Sequence, residues 1–301
     1  MQKTAPPLFD FAALVRQRNR AARQFDEHDF LAEAAAERLA DRLADVRRKF
    51  ADGLVLGAGD GRLARHLAAT GKTATLTQAE ASPDFLARLA EPKWLLQSEI
   101  PELAPASLDV IASSLWLHWV SDLPGLLACL SRALRPDGLF VANFWGGRSL
   151  AELRACLTEA ESEQQGGVWP RIAPMADIRD LGGLLQRAGL ALPVADADLI
   201  KVRWPSLFAM MRDLRGMAET SALAGRPRHF TRRSVFMRAA EIYQQRFADP
   251  DGQITASFEL ITLTGWKPHP SQQKPLNPGS AANRLADHLI SDKASKPPSK
   301  G

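Results

Sequence analysis

LVLGAGDG, residues 54–61, places three glycines directly after a short apolar run. The run at 54–56 is typical of a strand that is buried on both faces of a parallel sheet. Gly57 and Gly59 allow a tight turn close to a ligand, and Gly61 permits close strand–helix packing. A helix that begins at such a turn presents N–H groups and a positive dipole end to an anion. The stretch therefore predicts an anion-binding loop.

Helical and strand-like patterns alternate on both sides of this loop. An amphipathic helix is predicted over 30–46, where apolar residues recur at helical spacing. Further elements are predicted at 60–69 (helix), 73–77 (strand), from Ser82 and Pro83 (helix), 94–97 and 108–115 (strands), 122–134 (helix) and 139–144 (strand). Connections this short predict parallel strands with helices on both faces of the sheet. We therefore expect an α/β, doubly wound, Rossmann-like fold.

The rest of the chain surrounds this domain. Residues 1–50 are predicted to form an N-terminal helical arm followed by the amphipathic helix, and residues 51–267 the Rossmann domain. A mostly helical insertion, rich in methionine and arginine, is expected at about 204–252, before the last strand. Residues 268–301 are rich in proline and serine and are predicted to be a disordered tail.

Composition excludes several functional classes. The chain has 301 residues, of which 46% are apolar, enough to bury one sizeable core. The net charge of +4 is mild, and no basic stripe interleaved with aromatics predicts nucleic-acid binding. No apolar run is long enough to cross a membrane. Cys129 and Cys156 form no ligand cluster, which favours buried thiols in a reducing cytoplasm. We expect a cytoplasmic protein, at most peripheral to the inner membrane.

A carboxylate follows the next predicted strand. Glu80, preceded by Ala79, comes 21 positions after Gly59. At the carboxyl end of a neighbouring strand, this carboxylate is placed to accept both hydroxyls of a ribose, although an ordinary exposed glutamate is the alternative. The third glycine comes one residue earlier than in dinucleotide-binding loops. This spacing favours S-adenosyl-L-methionine over NAD, with the carboxylate of the cofactor on the N–H groups of the loop.

Several stretches resemble a known family. Residues 54–61, SSLWLHWVSDLP at 113–124 and LRPDG at 134–138 resemble class I methyltransferases. More narrowly, MRDLRGM at 211–217 and TGWK at 264–267 resemble the mitochondrial complex I assembly factor that acts as an arginine hydroxylase, with its bacterial relatives. The resemblance implies a seven-stranded class I methyltransferase sheet, S-adenosyl-L-methionine as cofactor, and a protein substrate such as a complex I subunit. The carboxyl O-methyltransferase of biotin synthesis is the nearest other relative.

The predicted cofactor site combines loop and strand-end residues. It comprises Gly57, Ala58, Gly59, Gly61, Ala79, Glu80, Ser98, Ser114 and Leu115. The chain departs from the family at Val55, where an acid usually helps hold the ammonium group of the cofactor. A lost charge-assisted hydrogen bond costs about 1.5–3 kcal/mol, or roughly tenfold to 150-fold in affinity, so we expect weakened binding. The acid for the adenine amine is not evident, and Gln97, Ser98 and Glu99 are all candidates.

His118 and Trp119 are the predicted catalytic residues. They follow the fourth predicted strand, where ligands bind in doubly wound sheets. His118 could act as a general base or orient a substrate, and Trp119 could stack on a planar cation. The alternative is that His118 caps a turn and Trp119 fills the core. Because no H-x-D or H-x-E pair occurs, we predict no metal.

Three functions remain open from the sequence. The first is a cofactor-dependent enzyme acting on a protein side chain in complex I assembly, with arginine modification implied by the resemblance. The second is an O-methyltransferase of the biotin-synthesis type. The third is a non-catalytic assembly chaperone that retains the fold, an interpretation that Val55 favours.

Overall fold

The apolar run at 54–56 forms the end of an interior strand of the sheet in the computed structural model, which describes residues 6–272. The strands are, in chain order, β1 (Phe50–Leu56), β2 (Thr73–Glu80), β3 (Lys93–Leu95), β4 (Leu108–Ser114), β5 (Leu134–Trp145), β6 (Ala191–Trp204) and β7 (Ile254–Trp266). The helices are α1 (Phe11–Ala22), α2 (Phe30–Ala44), α3 (Arg62–Ala69), α4 (Pro83–Leu86), α5 (Leu123–Ala133), α6 (Ala151–Gln165), α7 (Ile178–Arg187), α8 (Leu207–Gly216) and α9 (Arg233–Phe247).

The strands form one seven-stranded sheet in the order β3-β2-β1-β4-β5-β7-β6. From β1 the chain turns outward to β2 and β3, and then crosses to β4 on the other side of β1. The glycine loop therefore lies at the topological switch point, where ligands bind in doubly wound sheets. The predicted fold class, a seven-stranded Rossmann-like sheet of the class I methyltransferase type, is confirmed.

The sheet is mixed, which corrects the expectation of parallel strands throughout. Strands β1 to β5 pair in parallel, whereas β7 is antiparallel to both β5 and β6. The alternation that predicts parallel strands ends at β5. After that point, β6 and β7 are joined through the insertion and pair with each other as antiparallel neighbours.

Helices cover both faces of the sheet, as the alternation predicts. On one face Leu54 and Leu56 pack in the same apolar cluster as residues of α5 and α7. On the other face Val55 packs with residues of α2 and α3. The predicted acid position of the first strand is thus a fully buried apolar site in this chain. Ser82 caps α4 as predicted, because its hydroxyl accepts a hydrogen bond from the Phe85 N–H at 3.1 Å.

The N-terminal arm and the insertion pack together although more than 180 residues separate them. The Asp10 carboxylate accepts a hydrogen bond from Arg226 at 2.9 Å, and the Gln17 side-chain amide donates to the Ser221 carbonyl at 2.8 Å. Phe9 also forms an isolated antiparallel bridge with Leu223. These contacts hold α1 over the carboxyl end of the sheet, beside the glycine loop. We call this assembly of arm and insertion the cap.

The motif at residues 211–217 attaches the insertion to the arm. The Asp213 carboxylate bonds to His28 Nδ1 at 2.9 Å and accepts a hydrogen bond from Trp204 Nε1 at 2.6 Å. Gly216 lies directly against the imidazole ring of His28, and a Cβ atom there would overlap the ring. The absence of a side chain at this position is what allows the close approach.

Between residues 6 and 272 the helices are all too short or too polar to span a bilayer. Most of the tail predicted to be disordered falls at 273–301, outside the described residues.

Replacing Gly216 by alanine should lower the free energy of unfolding by about 1–3 kcal/mol, the usual cost of overpacking. The new methyl group must displace the His28 ring and weaken its bond to Asp213. Chemical denaturation measures the effect. Gly225→Ala is the matched control, because a Cβ at this exposed glycine meets no atom within 4 Å. Equal stabilities of the two variants would contradict this account of the motif.

Candidate functional site

The glycine loop turns in a conformation that side chains disfavour. Gly57, Gly59 and Gly61 have φ values of 69°, 60° and 83°, all in the left-handed region. A Cβ at Gly57 would also lie 2.5 Å from the ring of Trp116. The loop therefore requires glycine for both backbone geometry and space, and its last N–H, at Gly61, donates to the Ala58 carbonyl.

Three of the other loop amides are directed at β2. The N–H groups of Gly57 and Ala58 both donate to the Ala79 carbonyl, at 2.9 and 3.0 Å. The Gly59 N–H donates to Glu80 Oε2 at 2.7 Å. The neighbouring strand therefore supplies the acceptors of these three amides, and binding of a ligand carboxylate by the loop stays a prediction. Ala79 acts through its backbone and lies fully buried behind the loop.

Glu80 lies beside the loop, where the sequence places it. Its side chain is 0% exposed. Four hydrogen bonds reach its carboxylate: two from the Arg18 guanidinium at 2.7 and 2.8 Å, one from the Gly59 N–H, and one from the Ser82 N–H at 2.9 Å. The alternative of an exposed glutamate is wrong. Its predicted role in binding a ribose stays a prediction, because its oxygens are here occupied by protein donors.

Arg18 comes from α1 and is buried at the centre of this arrangement. Burial opposes its charge, but the attraction of Glu80 outweighs this and raises the pKa of Arg18. Its guanidinium carbon lies 5.4 Å from the Phe85 ring and 5.2 Å from the Trp116 ring, within the range of cation–π attraction. The arm thus supplies the counter-ion of the strand-end carboxylate.

A first cavity of about 50 Å³ lies over the loop. Several predicted cofactor residues line it: Gly57, Ala58, Gly59, Ser114 and Leu115. Arg18, Trp145 and Glu219 complete its inner wall. Ser98 lies elsewhere: it is exposed, lines a separate depression, and donates its hydroxyl to the Ile100 carbonyl at 2.6 Å. The structure does not bring Ser98 to the loop.

A second, larger cavity of about 320 Å³ adjoins the first. Trp145 and Glu219 line both cavities. Its walls are mainly aromatic and aliphatic side chains: Trp119, Trp145, Leu150, Leu153, Leu157, Ile172, Met175, Met211, Leu214, Phe236 and Phe258. Its polar lining comprises Ser149, Arg171, Glu219, Thr220 and Ser221. Residues of the insertion help to enclose this second cavity, which shares two wall residues with the first.

The two charged side chains that line the second cavity, Arg171 and Glu219, differ in their partners. Arg171 forms an ion pair with Glu161, a fully buried carboxylate that also accepts a hydrogen bond from the Trp169 N–H at 2.9 Å. Its positive charge is therefore neutralised within the protein. The side-chain hydroxyls of Thr220 and Ser221 and the indole N–H of Trp145 are buried without a hydrogen-bond partner among the described residues. Buried polar groups of this kind normally have a partner, so these three point to a polar ligand.

His118 is linked to the second cavity by its bond to Glu219. Its side chain is 1% exposed, and Nε2 lies 3.1 Å from Glu219 Oε2. We assign the ring proton to Nε2, because Nδ1 is buried without a partner in the described part of the chain and an N–H there would lack an acceptor. His118 thus orients Glu219 and itself lines neither cavity, whereas Trp119 lines the second. Their catalytic roles stay predictions.

One group of side chains could in principle hold a metal ion. The ligand atoms of Glu33, Glu37 and His66 lie within 4.8 Å of one another. The Glu33 carboxylate is already bonded to Arg62 at 2.9 Å and to His66 at 2.7 Å, and none of the three potential ligands lines either cavity. We assign no metal to them.

Comparisons with known proteins agree with this architecture. The family described as "Methyltransferase domain" matches residues 54–142. Over 283 residues the chain is 38% identical to arginine-hydroxylase NDUFAF5, mitochondrial, of Mus musculus, covering 91% of this chain and 81% of that protein. The chain belongs to the family of this arginine hydroxylase. It is also 32% identical over 273 residues to a malonyl-[acyl-carrier protein] O-methyltransferase of Xylella fastidiosa (strain M23), with coverages of 87% and 89%.

Solved structures bear on the fold alone. Phosphoethanolamine N-methyltransferase 2 of Haemonchus contortus, in complex with phosphomonomethylethanolamine and S-adenosylhomocysteine, aligns with a TM-score of 0.53 at 14% identity. The alignment covers 86% of this chain and 60% of that chain. As a member of the arginine-hydroxylase family with a methyltransferase domain, the chain is an enzyme whose cofactor is S-adenosyl-L-methionine.

The loop and the neighbouring strand end carry the chemical groups that this cofactor requires. Around a Cβ built at Gly59, the nearest side-chain atom is Arg18 Nη2 at 3.9 Å, so the backbone is open to close approach. Glu80 provides a carboxylate at the strand end, as ribose recognition requires. Arg18 lines the cavity of about 50 Å³ together with the glycine loop.

Arg18 and Glu219 are not among the site residues that the sequence predicts. A signal existed for Arg18: it lies four residues from both Leu14 and Ala22, on the buried face of α1, and a charged residue on such a face is informative. No comparable signal marks Glu219. It follows α8 in an irregular segment, and only the packing of the cap brings it to His118.

The start of α3 is stabilised by a charge pair at the cavity wall. Asp60 accepts hydrogen bonds from Arg62 Nε at 2.9 Å and from Arg65 at 3.2 Å. Burial disfavours the charge of Asp60, but the bonds from Arg62 outweigh it and lower the pKa of this carboxyl.

Asp60→Asn should therefore reduce the free energy of unfolding by about 1–3 kcal/mol at neutral pH. Because the pKa of Asp60 in the folded state lies below the ordinary value of 3.8, the ionised carboxylate stabilises the folded protein above pH 3.8. This stabilisation is lost as the pH falls through the folded-state pKa. The gap between wild type and variant should narrow below pH 3.8 in urea unfolding curves. The exposed Asp84→Asn serves as control. A gap that stays constant with pH would refute the assignment.

Proposed function

We propose that this chain acts on the guanidinium group of an arginine in a protein partner, with the arginine side chain in the second cavity. The observation that carries the proposal is the charge balance of that cavity. Glu219 is its acid, bonded to His118 Nε2, while its arginine is neutralised by the buried Glu161. The cavity therefore favours a cation.

The shape and chemistry of the walls suit a guanidinium. Trp119 and Trp145 offer aromatic faces on which a planar cation stacks favourably. The unpartnered hydroxyls of Thr220 and Ser221 can accept hydrogen bonds from N–H groups that the Glu219 carboxylate does not take. A guanidinium has five such donors, and a carboxylate acceptor binds it with a charge-assisted bond.

The junction of the two cavities supports group transfer between their occupants. Glu219 and Trp145 line both spaces, so a side chain held by Glu219 faces the region over the glycine loop. When bound, S-adenosyl-L-methionine supplies a methyl group on a sulfonium. Relatives of this chain are named arginine hydroxylases. Adding an oxygen to an arginine C–H bond is a two-electron oxidation that the methyl group cannot supply, so this reaction requires an oxygen-donating oxidant as a further substrate.

A malonyl-carrier O-methyltransferase is the competing function, supported by the 32% identity to such an enzyme. Its acceptor is a carboxylate, which in the second cavity would face Glu219 without an unpaired cation to balance it. Like charges so placed disfavour binding. The function of a non-catalytic chaperone would not require a cavity with unpartnered polar groups beside the glycine loop.

A deletion strain tests the proposal. Mass spectrometry of respiratory complex I subunits should show an arginine that carries one added oxygen in the parent strain and lacks it in the deletion strain. Wild-type protein should restore the mark. Arginine masses that are identical in both strains would overturn the proposal, and a biotin requirement of the deletion strain would indicate the carboxyl methyltransferase instead.

Glu219→Gln should restore the mark poorly in the same strain, because the variant keeps the shape of the side chain but loses its charge. Removing a charge-assisted bond to the substrate lowers affinity roughly tenfold to 150-fold. Glu163→Gln, on an exposed ion pair with Arg238, is the matched control and should restore the mark fully. Thermal melting of both variants separates loss of function from loss of folding. Full restoration by a folded Glu219→Gln protein would contradict the role of Glu219.

A cytoplasmic location, peripheral association with the inner membrane and a complex I subunit as partner remain proposals.

A further inference from the structure

The amino-acid end of the cofactor needs a cation that the glycine loop does not supply. Its carboxylate requires donors, yet the N–H groups of Gly57, Ala58 and Gly59 are bonded to β2 and that of Gly61 to the loop itself, which leaves the single N–H of Asp60 among the loop amides. Among the residues that line the first cavity, the cationic side chains are Arg18 and Arg62.

Arg62 is committed to three carboxylates. It bonds to Asp29 at 2.7 Å, to Glu33 at 2.9 Å and to Asp60 at 2.9 Å. Arg18 has a single carboxylate partner, Glu80. Glu80 is also the group that would accept the ribose hydroxyls. The two side chains that the cofactor would need are therefore bonded to each other.

We propose that Arg18 is the ligand of the cofactor carboxylate, and that its ion pair with Glu80 is exchanged on binding for two contacts to the cofactor: ribose on Glu80 and carboxylate on Arg18. This inference rests on the cofactor assignment and does not depend on the identity of the acceptor.

The exchange conserves the number of hydrogen bonds to Glu80. Arg18 contributes two of the four donors to Glu80, and the two hydroxyls of a ribose would replace them one for one. Arg18 would regain an anionic partner in the cofactor carboxylate. Arg18 therefore keeps an anionic partner, and Glu80 keeps four hydrogen bonds although its cationic partner is replaced by neutral hydroxyls. The retained bonds matter because a buried charge without partners is strongly destabilising.

The surroundings allow the guanidinium to move while the helix stays in place. Arg18 lies against the faces of Phe85 and Trp116, flat surfaces over which a guanidinium can slide. Its backbone belongs to α1, which Asp10 and Gln17 fix to the insertion. Displacing the side chain also enlarges the cavity of about 50 Å³ at the loop.

Two ligands separate the halves of the exchange. S-adenosylhomocysteine carries the amino-acid end, whereas 5′-methylthioadenosine keeps the adenosine and thioether but lacks that end. Titration calorimetry of the full-length protein with each ligand gives two affinities. In Arg18→Met, the affinity for S-adenosylhomocysteine should fall roughly tenfold to 150-fold, as for a lost charge-assisted bond. The affinity for 5′-methylthioadenosine should hold or rise, because Glu80 no longer has a competing partner.

Arg18→Lys keeps the charge beside the buried Glu80 and provides a variant with less risk to folding. Its ratio of the two affinities should still fall, since lysine lacks the paired donors of a guanidinium. Arg16→Met, an exposed position of the same helix, should change neither affinity. Parallel loss of both affinities, no change in either, or failure of the wild-type protein to bind either ligand would each overturn the proposal. None of these results alters the arginine mass analysis, so the two proposals fail separately.

Discussion

A fully buried carboxylate, Glu80, joins the parts of the molecule that form the site. Its oxygens accept hydrogen bonds from the glycine loop, from the start of α4 and from the Arg18 guanidinium on α1. Each donor belongs to a different segment, so one side chain fixes the loop, a helix terminus and the arm relative to one another. A carboxylate without these partners would be costly to bury at this depth. The arm is therefore part of the site and cannot be treated as a peripheral extension.

The cap converts an open sheet edge into two adjoining cavities. In a doubly wound sheet the switch point offers a crevice, but the crevice has no roof of its own. Here the arm and the insertion supply the roof, joined by Asp10, Arg226 and the His28–Asp213 bond. The second cavity lies between the insertion, α6, residues 171–175 and the strands β5 and β7. A substrate that enters there is surrounded mainly by residues outside the portion that matches the methyltransferase domain.

Charge pairing gives the two cavities different preferences. The first holds an arginine whose partner can be exchanged, and the second holds an acid that is bonded to the His118 imidazole. Arg171 contributes little net field, since the buried Glu161 cancels its charge at short range. The position of Val55 fits this distribution: it packs among the apolar side chains of α2 and α3, so recognition of the charged end of the cofactor falls to side chains of the cap.

The sequence by itself determined the sheet and the place of its binding loop. The apolar run before Gly57 and the spacing to Glu80 are local patterns, and neighbouring parallel strands bring such strand ends together wherever the fold forms. The same periodicity identified the buried face of α2. The antiparallel edge was not determined in this way, since β6 and β7 pair across an insertion whose length has no periodic signature.

Only the tertiary structure decided which side chains meet at the site. Arg18 and Glu80 are 62 residues apart, and His118 and Glu219 are 101 apart. Helical and strand periods relate residues a few positions apart, so they cannot indicate pairs at such separations. Ser98 shows the same limitation of local patterns. Its position after β3 was inferred correctly, yet its side chain bonds to Ile100 and lies outside the cavity over the glycine loop. Direction and partner are set by packing, which depends on every segment that covers the sheet edge.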